Sequence, residues 1–199
     1  MAGPRLMLLE ALTPVQRVMQ KLGNPEPQLS AAFVEKAISK LRDGDILLSR
    51  ENWKLTNLFV PGYWGHAAIY YSGKIIEAIG DYKDPVDGKI KNGVRAENPE
   101  RWLFQKDSVA ILAPLQTLIN KAALAAEIAA SEINTPYDYR FEPSTKAFYC
   151  SELVINSYKE ACTDKDPFVL KKQFGVVTST PQDIYEMRNL FFVLMEERN

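Results

Sequence analysis

The chain has 199 residues, 46% of them hydrophobic and 25% charged, which suits one domain with enough apolar mass for a core and excludes disordered and collagen-like classes. Its 24 Lys and Arg against 25 Asp and Glu leave a net charge of −1, so no global field steers it toward nucleic acid or an anionic membrane, and no nucleic-acid partner is expected. One histidine and two cysteines fall short of a zinc ligand set and of a disulfide scaffold, so neither a metal nor another cofactor is expected.

In chain order, the apolar run Leu6 to Leu9 ends at Glu10, too short for a signal-peptide core. No window approaches the roughly 18 uninterrupted apolar residues of a membrane span, so the expectation is a cytoplasmic chain without a transmembrane segment. Residues 5 to 42 carry apolar side chains at helical spacing, Leu8, Leu12, Val15 and Met19 first, then Phe33, Ala37, Ile38 and Leu41, with Pro25 and Pro27 between. They predict two helices, an extension over 1–42 packed on a main domain over 43–199 and burying Leu8, Leu12, Phe33 and Ile38. Short β-rich runs follow: DGDILLSR (43–50), HAAIYY (66–71), KIIEAI (74–79), GVRAE (93–97) and DSVAILAP (107–114). Helices are predicted over Thr117 to Ile133 and from about Tyr149 to Ala161. Then come a helix in TPQDIYEMR (180–188), with Thr180 as cap and Pro181 in its first turn, and a closing strand in FFVLMEE (191–197). Segregated strands and helices indicate an α+β fold with a small antiparallel sheet.

Chemistry concentrates in three residues. Ser72-Gly73 is the expected two-residue turn of the hairpin HAAIYYSGKIIEAI, pairing Tyr71 with Lys74. In that register Ala68 faces Glu77 and His66 faces Ile79, which makes His66 and Glu77 diagonal neighbours on one face, roughly 7–8 Å apart. An odd loop or a bulge would move Glu77 to the other face. Glu77 lies between Ile75 and Ile79 and needs a partner, either a structural one or the imidazole. His66, the chain's only histidine, is the one candidate for a general base with an unperturbed pKa near neutrality. Cys150 opens a predicted helix, where unpaired N–H groups and the helix dipole favour a thiolate and offer donors to an oxyanion; its bland reading is a small buried hydrophobe. Cys162, about 18 Å along the same helix, has no such activation and is assigned to packing.

The ordered set GDILLSR, GHAAIYY, IIEAIG, TPYDYRF and FYCSELV resembles the permuted papain-like amidases of the NlpC superfamily, the YiiX/YaeF-like branch, over roughly residues 43–188. In that family the histidine-bearing strand precedes the cysteine-bearing helix and a Glu on the following strand orients the histidine. The resemblance implies a circularly permuted papain-like fold, a sheet packed on the cysteine helix, and Cys150, His66 and Glu77 as the catalytic set. The expected activity is that of a cysteine peptidase or amidase, a thiol hydrolase or acyl-transfer enzyme cleaving an amide or ester bond of a small-molecule, peptide or lipid-like substrate. The alternative is a binding module that keeps the cleft without turnover. Tyr63, Trp64, Tyr137 and Tyr139 are candidate cleft-lining aromatics. Asp138 would orient the imidazole if the hairpin register were otherwise. The oligomeric state is left open.

Overall fold

Ser30 is where the described helical structure starts: its hydroxyl accepts the Phe33 amide at 3.2 Å and caps α1, Ala31–Lys40. The structure is a computed structural model that describes residues 29–54, 60–84, 87–139, 146–163, 166–168, 170–173 and 176–199. The first predicted helix, with Leu8 and Leu12, lies outside the described residues. After α1 come β1 (Ile46–Arg50), β2 (His66–Tyr71), β3 (Lys74–Lys83), β4 (Ile90–Glu97), α2 (Pro99–Leu103), β5 (Ser108–Pro114) and α3 (Ile119–Ser131). The chain continues through α4 (Cys150–Ala161), β6 (Lys171–Gln173), β7 (Val176–Thr178), α5 (Pro181–Glu186) and β8 (Phe191–Glu197).

Six strands form one antiparallel sheet in the order β4-β3-β2-β1-β5-β8, and β6 and β7 form a separate hairpin. Alternation along each strand divides the core into two layers. Ile46, Leu48, Ala67, Ile69 and Ile76 face α3 and α4, meeting Ala125, Ala129, Leu153 and Val154. Leu47, Ala68, Ile75, Val109 and Ile111 face the other way, onto Phe33, Val34 and Ala37 of α1 and Trp102 and Leu103 of α2. β1 is buried on both faces, which is why ILLS reads as a continuous rather than an alternating run. Before β1, Gly44 has φ +92°, and a Cβ there would stand 2.4 Å from Ala122 Cβ, so α3 presses directly on this backbone.

The β2–β3 hairpin turns on Ser72 (φ +46°) and Gly73 (φ +78°), both left-handed as a two-residue type I′ turn requires. Tyr71 pairs with Lys74, Tyr70 with Ile75 and Ile69 with Ile76, the register expected from the sequence. Several features depart from the sequence reading. β4 begins at Ile90, earlier than GVRAE; α2, a five-residue helix capped by Asn98 and started by Pro99, and the three-residue strands β6 and β7 are too short to leave a periodic signature. Ile38, expected in the core, is exposed: the buried stripe of α1 runs through Phe33, Val34 and Ala37 to Leu41, and Ile38 stands a further 100° round the helix. Among the described residues no helix is long and apolar enough to cross a membrane.

Candidate active site

Cys150 is the first residue of α4, behind Tyr149 in extended conformation as N-cap (φ −91°, ψ 169°). Leu153 and Val154 anchor the helix on the sheet, which carries its N-terminus to the start of β2. There the β2–β3 ladder ends at the Ile69–Ile76 pair, and the Ala67 N–H, with no ladder partner from β3, hydrogen-bonds the Cys150 sulfur. The Ser151 N–H, in the first turn of α4, does the same.

His66 opens β2, paired with Ser49 of β1. Its Nε2 lies 2.7 Å from Oε2 of Glu77, and the ring also hydrogen-bonds the Cys150 thiol, for which Nδ1 is the nitrogen left. Glu77 is fully buried, a position a carboxylate tolerates only when paired and hydrogen-bonded. Oε2 also accepts the Trp102 indole N–H at 2.7 Å, and Oε1 accepts Arg95 Nε at 2.9 Å and Nη2 at 2.8 Å. Arg95 stands opposite Glu77 on β4 and stacks 4.2 Å over the Tyr82 ring. Lys106, over the Trp102 ring at 4.7 Å, is itself held by Glu51 at 2.6 Å.

These contacts set the charges. Burial alone would raise the Cys150 thiol; the hydrogen bond and charge of His66, with the Ala67 and Ser151 N–H groups, outweigh it and hold the thiol below its ordinary value. Burial would lower His66, and bonding to Cys150 and Glu77 reverses that, raising it. Burial would raise Glu77, yet His66, Arg95 and Lys106 hold it well below the carboxylate range. All three shifts favour a thiolate–imidazolium pair backed by a carboxylate. Glu51, although buried, is lowered to about 2 by Lys106 and Lys54.

The aromatic candidates separate into two groups. Burial, and then the nearby charge of Cys150, raise the Tyr137 phenol well above the usual value. Tyr139 packs edge-on against Tyr137 at 5.0 Å and donates to Asp81 Oδ1 at 2.6 Å. Both rings lie over Gly80 of β3, where a Cβ would come within 3.6 Å of Tyr139 and 3.8 Å of Tyr137. Trp64, expected to line a cleft, is wholly buried in the core against Tyr63 and Tyr185, so it presents no face to a ligand. The Tyr63 hydroxyl shares a hydrogen bond with Ser108 Oγ at 2.8 Å, and Arg50 covers its ring at 5.0 Å. The hairpin register gives the imidazole to Glu77, so Asp138 is not needed for that place. Sequence reading missed Arg95 and Trp102: cross-strand pairing from Glu77 into β4 points to Arg95, whereas nothing local marks Trp102.

Residues 40–194 match the family described as permuted papain-like amidase enzyme, YaeF/YiiX, C92 family. Among solved structures, the chain is similar to one described as the metalloprotein YiiX from Escherichia coli O157:H7, with a TM-score of 0.60 and 17% identity over 79% of this chain and 98% of that one. No curated protein sequence matches.

Proposed function

This chain belongs to the permuted papain-like amidase family, and we propose that it is a cysteine hydrolase that cleaves an amide or ester bond through Cys150, His66 and Glu77. The observation that carries this reading is the unbroken hydrogen-bonded line from Glu77 through His66 to Cys150 at the N-terminus of a helix. Glu77, ionised, is acceptor-only, so the Nε2 facing it carries a proton and Nδ1 exchanges one with the thiol. The Cys150 thiolate attacks the carbonyl carbon and the C=O electron pair moves to oxygen, to which N–H groups of the first turn of α4, that of Cys150 among them, can donate. Nδ1–H protonates the departing amine or alkoxide as the carbonyl reforms, leaving a thioester on Cys150. Neutral Nδ1 then takes a proton from water, the hydroxide adds to the thioester, and the thiolate leaves with the imidazolium restored. Tyr137 and Tyr139 offer aromatic surface beside the thiol, which suits a substrate with a flat or apolar acyl part.

The word metalloprotein describes YiiX. Among the described residues of this chain no three of His, Cys, Asp and Glu are grouped to hold a metal ion, and the one imidazole is engaged by Glu77 and Cys150, so no step is routed through a metal. The test is p-nitrophenyl acetate followed by peptide mass spectrometry. An acetyl group on the Cys150 peptide, absent after Cys150→Ser, is expected. Acetylation confined to lysines would overturn the reading in favour of a non-catalytic cleft.

A further inference from the structure

Glu77 has more donors than an orienting carboxylate needs, and they are divided unequally. Arg95 takes Oε1 with two N–H groups, at 2.9 and 2.8 Å, whereas Oε2 is shared between His66 Nε2 and Trp102 Nε1, each at 2.7 Å. An indole N–H donates and cannot accept. With two guanidinium N–H groups on Oε1 and the indole N–H on Oε2, the carboxyl is held ionised and acceptor-only, so the proton between His66 and Glu77 belongs to Nε2.

Resting on the hydrolase reading above, we propose that Trp102 is a positioning residue that acts through Glu77 to hold the tautomer of His66. By donating to the same oxygen that meets the imidazole, it keeps that oxygen unprotonated and turned toward Nε2, so that neutral His66 presents its Nδ1 lone pair to Cys150. The surroundings of Trp102 fit the role. It is wholly buried, so no water competes for its N–H, and α2 is tied down by Asn98, whose side chain accepts the Arg101 amide at 3.0 Å. The Lys106 ammonium, 4.7 Å from the ring centroid and anchored by Glu51, draws charge from the indole face and strengthens its N–H as a donor.

His66 is the only histidine, so a chain labelled with 15N-histidine gives a spectrum whose two ring nitrogens report the tautomer directly. Cys150→Ser removes the thiolate that draws a second proton onto the ring. In that chain the proposal expects neutral His66 almost entirely as Nε2–H. Adding Trp102→Phe keeps an aromatic ring and deletes the donor, and should erode the tautomer preference by about tenfold, the value of a hydrogen bond to a charged group. An unchanged tautomer ratio overturns the proposal. A second measurement needs no variant: with 15N-tryptophan, the Trp102 indole proton should resonate downfield of that of Trp64, which is buried with no hydrogen-bond partner among the described residues. A Trp102 signal at or upfield of the Trp64 signal also overturns it. Slow alkylation of Cys150 in the unmutated chain, with the tautomer difference intact, would end the hydrolase reading while leaving this hold of Trp102 on His66 in place.

Discussion

A carboxylate with no exposed surface, between Ile75 and Ile79 on its strand, is costly to bury, and its four hydrogen bonds offset that cost. Glu77→Gln keeps the shape but turns an amide NH₂ toward a site lined by donors and removes the carboxylate that holds Arg95 by two hydrogen bonds, leaving it the longer 3.6 Å pairing with Glu97. It should destabilise the fold by about 3 kcal/mol, as removing one partner of a buried pair does, measured by urea unfolding at neutral pH. The sign of the pH dependence follows from the depressed pKa of Glu77. Its contribution is present above the unfolded carboxylate value and is lost as pH falls through the lower folded value, so the stability gap between the two proteins should narrow on the acid side. Of this cluster, Glu77 and His66 were legible in the sequence because the turn Ser72-Gly73 sets their parity. Arg95 was legible only as the next rung of that ladder. Trp102 was not, since it reaches Glu77 through a tertiary approach of α2 that no spacing encodes.

Elements with a strong local signature came through, and those held by tertiary contact did not. The β2–β3 hairpin is encoded by its turn; β8 matches its predicted span, 191–197, through its apolar run. By contrast α2, β6 and β7 owe their existence to a cap or to partner strands, and Ile38 shows that two adjacent apolar residues on one helix need not both face inward. Two substitutions probe the turns. Ser72 sits at φ +46°, where asparagine is better tolerated, so Ser72→Asn should raise the melting temperature, by roughly 0.5 kcal/mol of stability, without altering the register. Gly44→Ala should lower it, because the new methyl meets Ala122 Cβ at 2.4 Å and its carbonyl oxygen at 2.6 Å in a left-handed backbone. Thermal unfolding of both variants in parallel checks the pair.

Across the whole molecule, the candidate site draws on both sides of the sheet. Cys150 arrives on α4 from one face, whereas Glu77 belongs to the face covered by α1 and α2, and His66 joins them where β2 begins. The family match starts at residue 40, so all of α1 but Lys40 precedes it, yet Phe33, Val34 and Ala37 are buried in the layer that contains Trp102. We propose that this helix supports the site from behind. Phe33→Ala should cost about 3 kcal/mol of stability, read by urea unfolding. The central claim is the thiolate–imidazolium pair, and the most direct test is the rate of iodoacetamide alkylation at Cys150 and Cys162 across pH, followed by mass spectrometry. The account expects Cys150 to react far faster than Cys162 and to stay reactive well below the value of about 8.5 at which a free thiol half-ionises, with His66→Ala moving its profile upward. Equal, slow alkylation of both cysteines, rising together only near that pH, would contradict it.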